Sequence, residues 1–210
     1  MVVALAVAVS TLGLTPAVVT EFIEELGKRN VSVSEVFLVT TKTSAVSSYA
    51  LQLYFRLKGW KVKVNLNVIG VDDISSPNDC RTFRSEVLKV LKTAVKRAGG
   101  EDNVYVSLAG GRKTMPIDMF LAAMAKGIKN VYHVVAPGAS DQNIFRVLRD
   151  AELEEVRRAA EDSKVRVSEE LARKVEEICR PEENVNLIMV PMPPLSPEDM
   201  KALEESLKKV

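Results

Sequence analysis

Two adjacent glycines followed by two cations, Gly110-Gly111-Arg112-Lys113-Thr114-Met115-Pro116, form the segment of this sequence best suited to hold an anion. Glycines let a ligand approach the backbone closely, and Arg112 and Lys113 would stand at the N-terminus of the helix that Pro116 opens. Cations in that position oppose the helix dipole at a cost of roughly 0.3–1 kcal/mol each, unless an anion sits between them. The pattern points to a bound phosphate, with Thr114 as a further donor; the plainer alternative is a solvated basic turn. It is not a Walker A loop, because the G-x-x-x-x-G-K spacing is missing.

A second segment, Ser10-Thr11-Leu12-Gly13-Leu14-Thr15-Pro16, joins an apolar run to an amphipathic one. The hydroxyls of Ser10, Thr11 and Thr15, the Gly13 backbone and the free N–H groups of the next helix can all serve phosphate oxygens. Thr15 can equally be no more than a cap ahead of Pro16. No G-x-G-x-x-G is present, so the dinucleotide fingerprint is absent. A third set is Thr40-Thr41-Lys42-Thr43-Ser44 together with Asp72-Asp73-Ile74. Thr41 and Lys42 can meet ribose or base, and Asp73 can accept from an adenine amino group or a sugar hydroxyl. Asp72 reads as turn chemistry.

Other chemistry is disfavoured. His133 is the only histidine, and within an apolar run it reads as packed rather than catalytic. A Ser–His nucleophile–base pair therefore has no base. No histidine-rich or acidic cluster suggests a metal nuclease, and Cys80 and Cys179 lack metal-ligand spacing. Neither a metal nor another cofactor is expected.

These loops act together only if the fold brings them to one place. Apolar runs alternate with amphipathic stretches, which is the signature of βαβ units. Residues 2–9 read as a central strand buried on both faces. Residues 16–28 form a helix with Val18, Val19, Phe22, Ile23 and Leu26 on one face. A strand at 36–40 and a helix at 44–58 follow. Residues 61–68 alternate strictly, with Lys61, Lys63, Asn65 and Asn67 on one side, so this is an edge strand. The third helix buries Phe83, Val87, Leu88, Leu91 and Val95 and ends at Gly99-Gly100. Strand 104–109, helix 116–126 and strand 131–136, closed by Pro137-Gly138, complete a doubly wound open sheet. In such sheets ligands bind beyond the carboxyl ends of the strands, near the switch in strand order. All three candidate loops fall there.

Beyond about residue 150 the pattern changes. Residues 143–161 and 168–180 read as charged helices, 184–191 as a late strand that joins the sheet edge or packs on the core. Ser196-Pro197-Glu198 opens a last helix. The expected organisation is a Rossmann-like ligand-binding domain over 1–150 and an extension over 151–210 packed on the same domain. A formal net charge of +1 restricts any polyanion site to a local patch and disfavours duplex nucleic acid. The apolar start lacks the basic n-region of a signal peptide, since the first positive charge is Lys28. No stretch is long enough to span a bilayer, and a cytoplasmic protein is expected.

The run Thr11-Leu12-Gly13-Leu14-Thr15-Pro16, then Leu38-Val39-Thr40-Thr41, Val71-Asp72-Asp73-Ile74 and Gly110-Gly111-Arg112-Lys113-Thr114-Met115 resembles CRISPR-associated Rossmann-fold (CARF) proteins. It is most similar to the stand-alone ring nucleases of archaeal type III CRISPR systems. The match covers roughly residues 2–136 and rests most on the Gly-Gly-Arg-Lys motif. The family pattern at the first loop is Thr-Leu-Gly-Thr-Ser-Pro, so the important serine of the family maps to Thr15. The resemblance implies a homodimer that binds cyclic oligoadenylate across its twofold axis, a ring of four suiting two subunits. It further implies metal-independent cleavage by the ligand's own 2′-hydroxyl, which ends the CRISPR signal. Thr15, Arg112 and Lys113 would then be the catalytic set. Among relatives a HEPN ribonuclease or winged-helix effector often follows, and neither pattern is recognisable here. A receptor that only binds, acting as a sink or through a protein partner, is the alternative.

Overall fold

The computed structural model describes residues 6–136 and 142–209. Residues 2–5 of the expected first strand and Pro137-Gly138 lie outside them. Six strands form one sheet in the order β3-β2-β1-β4-β5-β6. The strands are β1 (Ala6–Leu12), β2 (Val33–Thr40), β3 (Lys63–Val68), β4 (Val104–Ser107), β5 (Asn130–Val135) and β6 (Asn186–Met189). β1 to β5 run parallel, and β6 pairs antiparallel with β5. This is the Rossmann-like arrangement that the sequence predicts, an open and mainly parallel sheet with helices on both faces. The late strand takes the sheet-edge option.

Alternation within β1 explains the layering. Ala6, Ala8 and Leu12 face one core, and Val7 and Val9 face the other. A strand apolar on both sides must be covered on both sides. The helices α1 (Ala17–Lys28) and α2 (Val46–Lys58) cover the first face, and α3 (Pro77–Ala98) and α4 (Thr114–Ala125) the second. The change of face follows from right-handed crossovers that move outward first to β2 and β3, then back past β1 to β4 and β5. Between β1 and β4 the direction reverses, and a crevice opens at their carboxyl ends. β3 is an edge, as its alternating Lys63, Asn65 and Asn67 predict.

The expected helix at 143–161 is two helices, α5 (Ile144–Val147) and α6 (Asp150–Glu161). Leu148 and Arg149 between them are extended, Leu148 is buried, and the Arg149 N–H is taken by Glu152 Oε2 at 2.8 Å. Burying both Ile144 and Leu148 in the first core turns the chain before α6 can start. α6 and α7 (Glu169–Cys179) lie on α2, where Arg56 Nη1 donates to the Ala159 carbonyl at 2.6 Å. α8 (Pro197–Lys209) lies against α4 and α3, with Lys126 Nζ 2.7 Å from Glu204 Oε2. Its start follows the expectation: the Ser196 hydroxyl accepts from the Asp199 N–H at 3.1 Å.

One ion pair fixes α4 to α3. Arg84 Nε donates to Asp118 Oδ1 at 2.7 Å, with side chains only 16% and 5% exposed. Burial pushes the Asp118 carboxyl above its usual range, and Arg84 opposes that shift. Truncation of Arg84 would leave a buried carboxylate without its partner. Arg84→Ala is therefore expected to destabilise the protein by about 3 kcal/mol in urea unfolding.

Candidate functional site

The loop after β1 and the loop after β4 approach each other backbone to backbone. A Cβ on Gly13 would lie 2.6 Å from the Gly111 nitrogen, and one on Gly110 would lie 2.8 Å from the Thr11 carbonyl. Gly110 and Gly111 both have positive φ, 95° and 79°, which side chains other than glycine rarely adopt. The Thr11 hydroxyl spans the gap, 3.0 Å from the Ala109 carbonyl and 2.8 Å from that of Gly110. Thr11 is completely buried, and so is Ser10, whose hydroxyl donates to the Thr11 carbonyl at 2.9 Å. Both were expected to face a ligand. Here their hydroxyls are spent on the backbone, where they shape the loops.

The loop after β2 joins through a hydroxyl cluster. Thr40 Oγ1 donates to the Leu12 carbonyl at 2.8 Å, and Ser44 Oγ lies 2.7 Å from Thr40 Oγ1 and 2.9 Å from Thr41 Oγ1. The loop after β3 is drawn in by backbone bonds: the Lys42 N–H donates to the Val71 carbonyl at 3.1 Å and the Thr43 N–H to that of Asp72 at 3.2 Å. Local turn chemistry and long-range bonds thus bring four segments to one crevice.

Between them lies a cleft of about 420 Å³ lined by residues of all four loops and by α1 and α4. Of the expected residues, Gly13, Thr15, Thr41, Asp73, Gly110, Gly111 and Arg112 line it. Lys42, Lys113 and Thr114 are exposed and not part of the lining. Lys42 Nζ stands 3.3 Å from Asp72 Oδ1, whereas Lys113 has no ion pair among the described residues and sits next to Arg112 at the start of α4. Thr15 is not a helix cap: Pro16 takes the cap position ahead of α1, and no side-chain capping bond is made there. Its hydroxyl is available to the cleft.

Leu14, Val18 and Met115 give the cleft an apolar side that was not foreseen. Val18 reads as part of a helix's buried face, and Met115 as part of a motif without its own role. The available signal was the Gly111–Met115 spacing. Met115 is buried, its sulfur would lie only 2.5 Å from a Cβ on Gly111, and it accepts the Arg112 N–H at 3.2 Å.

Arg112 holds an anion, but one supplied by the chain. Its Nε is 3.0 and 2.9 Å from the two Asp73 oxygens, and Nη2 also donates to Oδ2. The guanidinium holds the Asp73 carboxyl below the usual range. The cost of a cation at the α4 N-terminus is thus partly met by Asp73, 39 residues away in sequence. His133 differs from expectation too. It sits in β5 but is exposed, because the β5–β6 end of that sheet face is left open, as the 50% exposure of Ile188 opposite it shows. It does not line the cleft. Cys80 and Cys179 are both free thiols. Among the described residues no three His, Cys, Asp or Glu side chains group as metal ligands, and no helix is long and apolar enough to cross a membrane.

A family described as CRISPR-associated protein NE0113 matches residues 15–209, which includes every loop of the cleft except the first residues of the β1 loop. This chain belongs to that family. It is 30% identical over 159 residues to a CRISPR system ring nuclease of Saccharolobus solfataricus, covering 73% of this chain and 84% of the relative. Among solved structures it is similar to Enterococcus italicus Csm6 bound to cyclic hexa-2′-fluoro-hexa-dAMP, with a TM-score of 0.54 and 12% identity. That likeness covers 97% of this chain but 44% of Csm6, and at this identity it speaks for the fold. The NE0113 family member described here thus carries its distinctive residues on the carboxyl ends of a CARF sheet.

The close approach of the two glycine loops can be tested directly. Thr11→Val keeps the volume but strands two carbonyls, and is expected to cost about 1–3 kcal/mol in denaturant unfolding. Gly13→Ala is expected to force the loops apart and to speed hydrogen exchange at the Gly110 and Gly111 amides. Gly27→Ala, with open space around the added carbon, should leave that exchange unchanged.

Proposed function

We propose that this protein binds a cyclic oligoadenylate, a ring of four in particular, as a homodimer and cleaves it without a metal ion, so ending type III CRISPR signalling. The observation that carries this is one cleft with a glycine-lined floor, an apolar side and cations at its rim, in a chain 30% identical to a ring nuclease. Leu14, Val18 and Met115 suit a base, the Gly110-Gly111 backbone suits phosphate, and the exposed Thr43 suits sugar hydroxyls, with Thr41 and Ser44 behind it. Thr15, Arg112 and Lys113 form the proposed catalytic set, and residues 151–210 an extension that braces the ligand-binding domain.

The reaction has few demands. A ligand 2′-oxygen attacks the adjacent phosphorus, the bond from phosphorus to the 5′-oxygen breaks, and the products are a 2′,3′-cyclic phosphate and a 5′-hydroxyl. The 2′-hydroxyl gives up its proton and the leaving 5′-oxygen gains one. What the protein supplies is alignment of the attacking oxygen with the leaving one. Thr15 and nearby N–H groups hold an oxygen, Lys113 supplies the charge that stabilises the phosphorane, and Arg112 contributes directed hydrogen bonds to it.

A second copy would complete the site, and α4 suits such a contact. Its sequence is apolar on every face, although a helix that packs on one side needs a single apolar stripe. Ile117 is 58% exposed, and Leu121 and Met124, which follow one and two turns later, belong to neither core. Such a stripe beside a cleft is the kind of surface that protein contacts cover.

Incubation of purified protein with cyclic tetra-adenylate in EDTA should yield linear products, and an analogue with 2′-deoxy sugars should stay intact. Lys113→Ala is expected to weaken binding or cleavage by roughly tenfold or more, the scale of one charge-assisted bond. Lys61→Ala, at the opposite end of the sheet, should match the wild type. Binding with no turnover would make the protein a sink. Ile117→Glu is expected to turn a dimer into a monomer in light scattering and to weaken ligand binding, with the unfolding midpoint of the monomer little changed.

A further inference from the structure

The rim of the cleft carries three cations and two carboxylates, and four of these five charges are already paired. Lys42 faces Asp72, Arg112 is forked onto Asp73, and Lys113 has no ion pair among the described residues. The Arg112–Asp73 contact is side-on, through Nε and Nη2. A guanidinium has five N–H groups, and this contact uses one on each of those nitrogens. The other Nη2 hydrogen and both Nη1 hydrogens have no partner among the described residues. Asp73 is itself anchored, because Oδ1 accepts the Ile74 N–H at 2.8 Å. Both residues line the cleft.

Such a pair is a directional donor with little net charge. To a phosphodiester, which carries one negative charge, it offers up to three hydrogen bonds. A terminal phosphate monoester carries close to two negative charges at neutral pH. Lys113 can match one of these charges, and the second would face the Asp73 carboxylate with no further unpaired cation among the described residues of the rim. We propose that Asp73 is a positioning and specificity-determining residue that aims Arg112 at the ligand and cancels its charge, so that the cleft admits internal phosphodiesters and disfavours terminal phosphates. The proposal rests on the reading of the cleft as an oligoadenylate site. It adds a reason why a closed ring, which has no terminal phosphate, is preferred over phosphorylated linear strands of the same bases. It also gives Asp73 a role through Arg112, in place of the direct contact with base or sugar that the sequence suggests.

The test uses the full-length protein, calorimetry and three probes with 2′-deoxy sugars. They are cyclic tetra-adenylate, linear tetra-adenylate with a 5′-hydroxyl, and the same linear strand with a 5′-phosphate. The readout is the ratio of the two linear Kd values, phosphorylated over unphosphorylated. Asp73→Asn is expected to lower that ratio at least fivefold, and Asp73→Glu to restore it to within twofold of the wild type. Asp102→Asn changes charge by the same amount at the amino end of β4, away from the cleft, and should leave the ratio within twofold. An unchanged ratio in Asp73→Asn, or an equal drop in Asp102→Asn, overturns the proposal while leaving the functional reading intact. Wild-type protein that binds none of the three probes overturns the functional reading and the proposal together.

Discussion

The site depends on one close approach, that of the loops after β1 and β4. Two parallel strands that part at a topological switch point leave a gap, and here the gap is narrowed until only backbone fits. Gly13, Gly110 and Gly111 permit the approach, and the buried Thr11 hydroxyl holds it. Everything else is arranged around this contact. Met115 fills the space beneath Gly111, α4 starts where the loop ends, and Arg112 and Lys113 project from the turn between them.

Charge at the rim follows a different rule from charge in the interior. The Arg84–Asp118 pair is shielded and ties two helices together. At the cleft, Arg112 is 65% exposed and Asp73 37%, so water screens their attraction and the pair contributes little to stability. Its value is geometric: it sets where the guanidinium points. The same chemistry thus serves as structure in one place and as aim in the other, and exposure decides which.

The sheet was legible in the sequence because its signals are local and strong. A strand apolar on both faces, an alternating edge and helical stripes ended by glycine each report their own surroundings. The meeting of the three loops at one cleft was legible because strand order alone puts them together. What stayed hidden depends on partners distant in sequence. Ser10 and Thr11 show hydroxyls suited to a ligand, and nothing nearby tells that Ala109 and Gly110 will claim the one on Thr11. Asp73 and Arg112 are each sensible ligand contacts in isolation, and their pairing exists only after folding. The break between α5 and α6 is hidden for the same reason, since Leu148 leaves the helical path to reach a core built mostly by earlier segments. His133 shows the reverse error: an apolar run predicts cover that the edge strand does not supply.

The belt of buried hydroxyls beneath the cleft has a consequence for how the protein responds to its medium. Thr11, Thr40, Thr41 and Ser44 are at most 6% exposed, and they bind carbonyls and one another without any charged partner. Dissolved salt shortens the reach of exposed charges and hardly touches neutral, water-excluded hydrogen bonds. A rise in ionic strength therefore loosens the rim pairs of Lys42 and Arg112 while the outline of the cleft stays as it was. Salt can therefore tune the charge of this cleft without altering its shape.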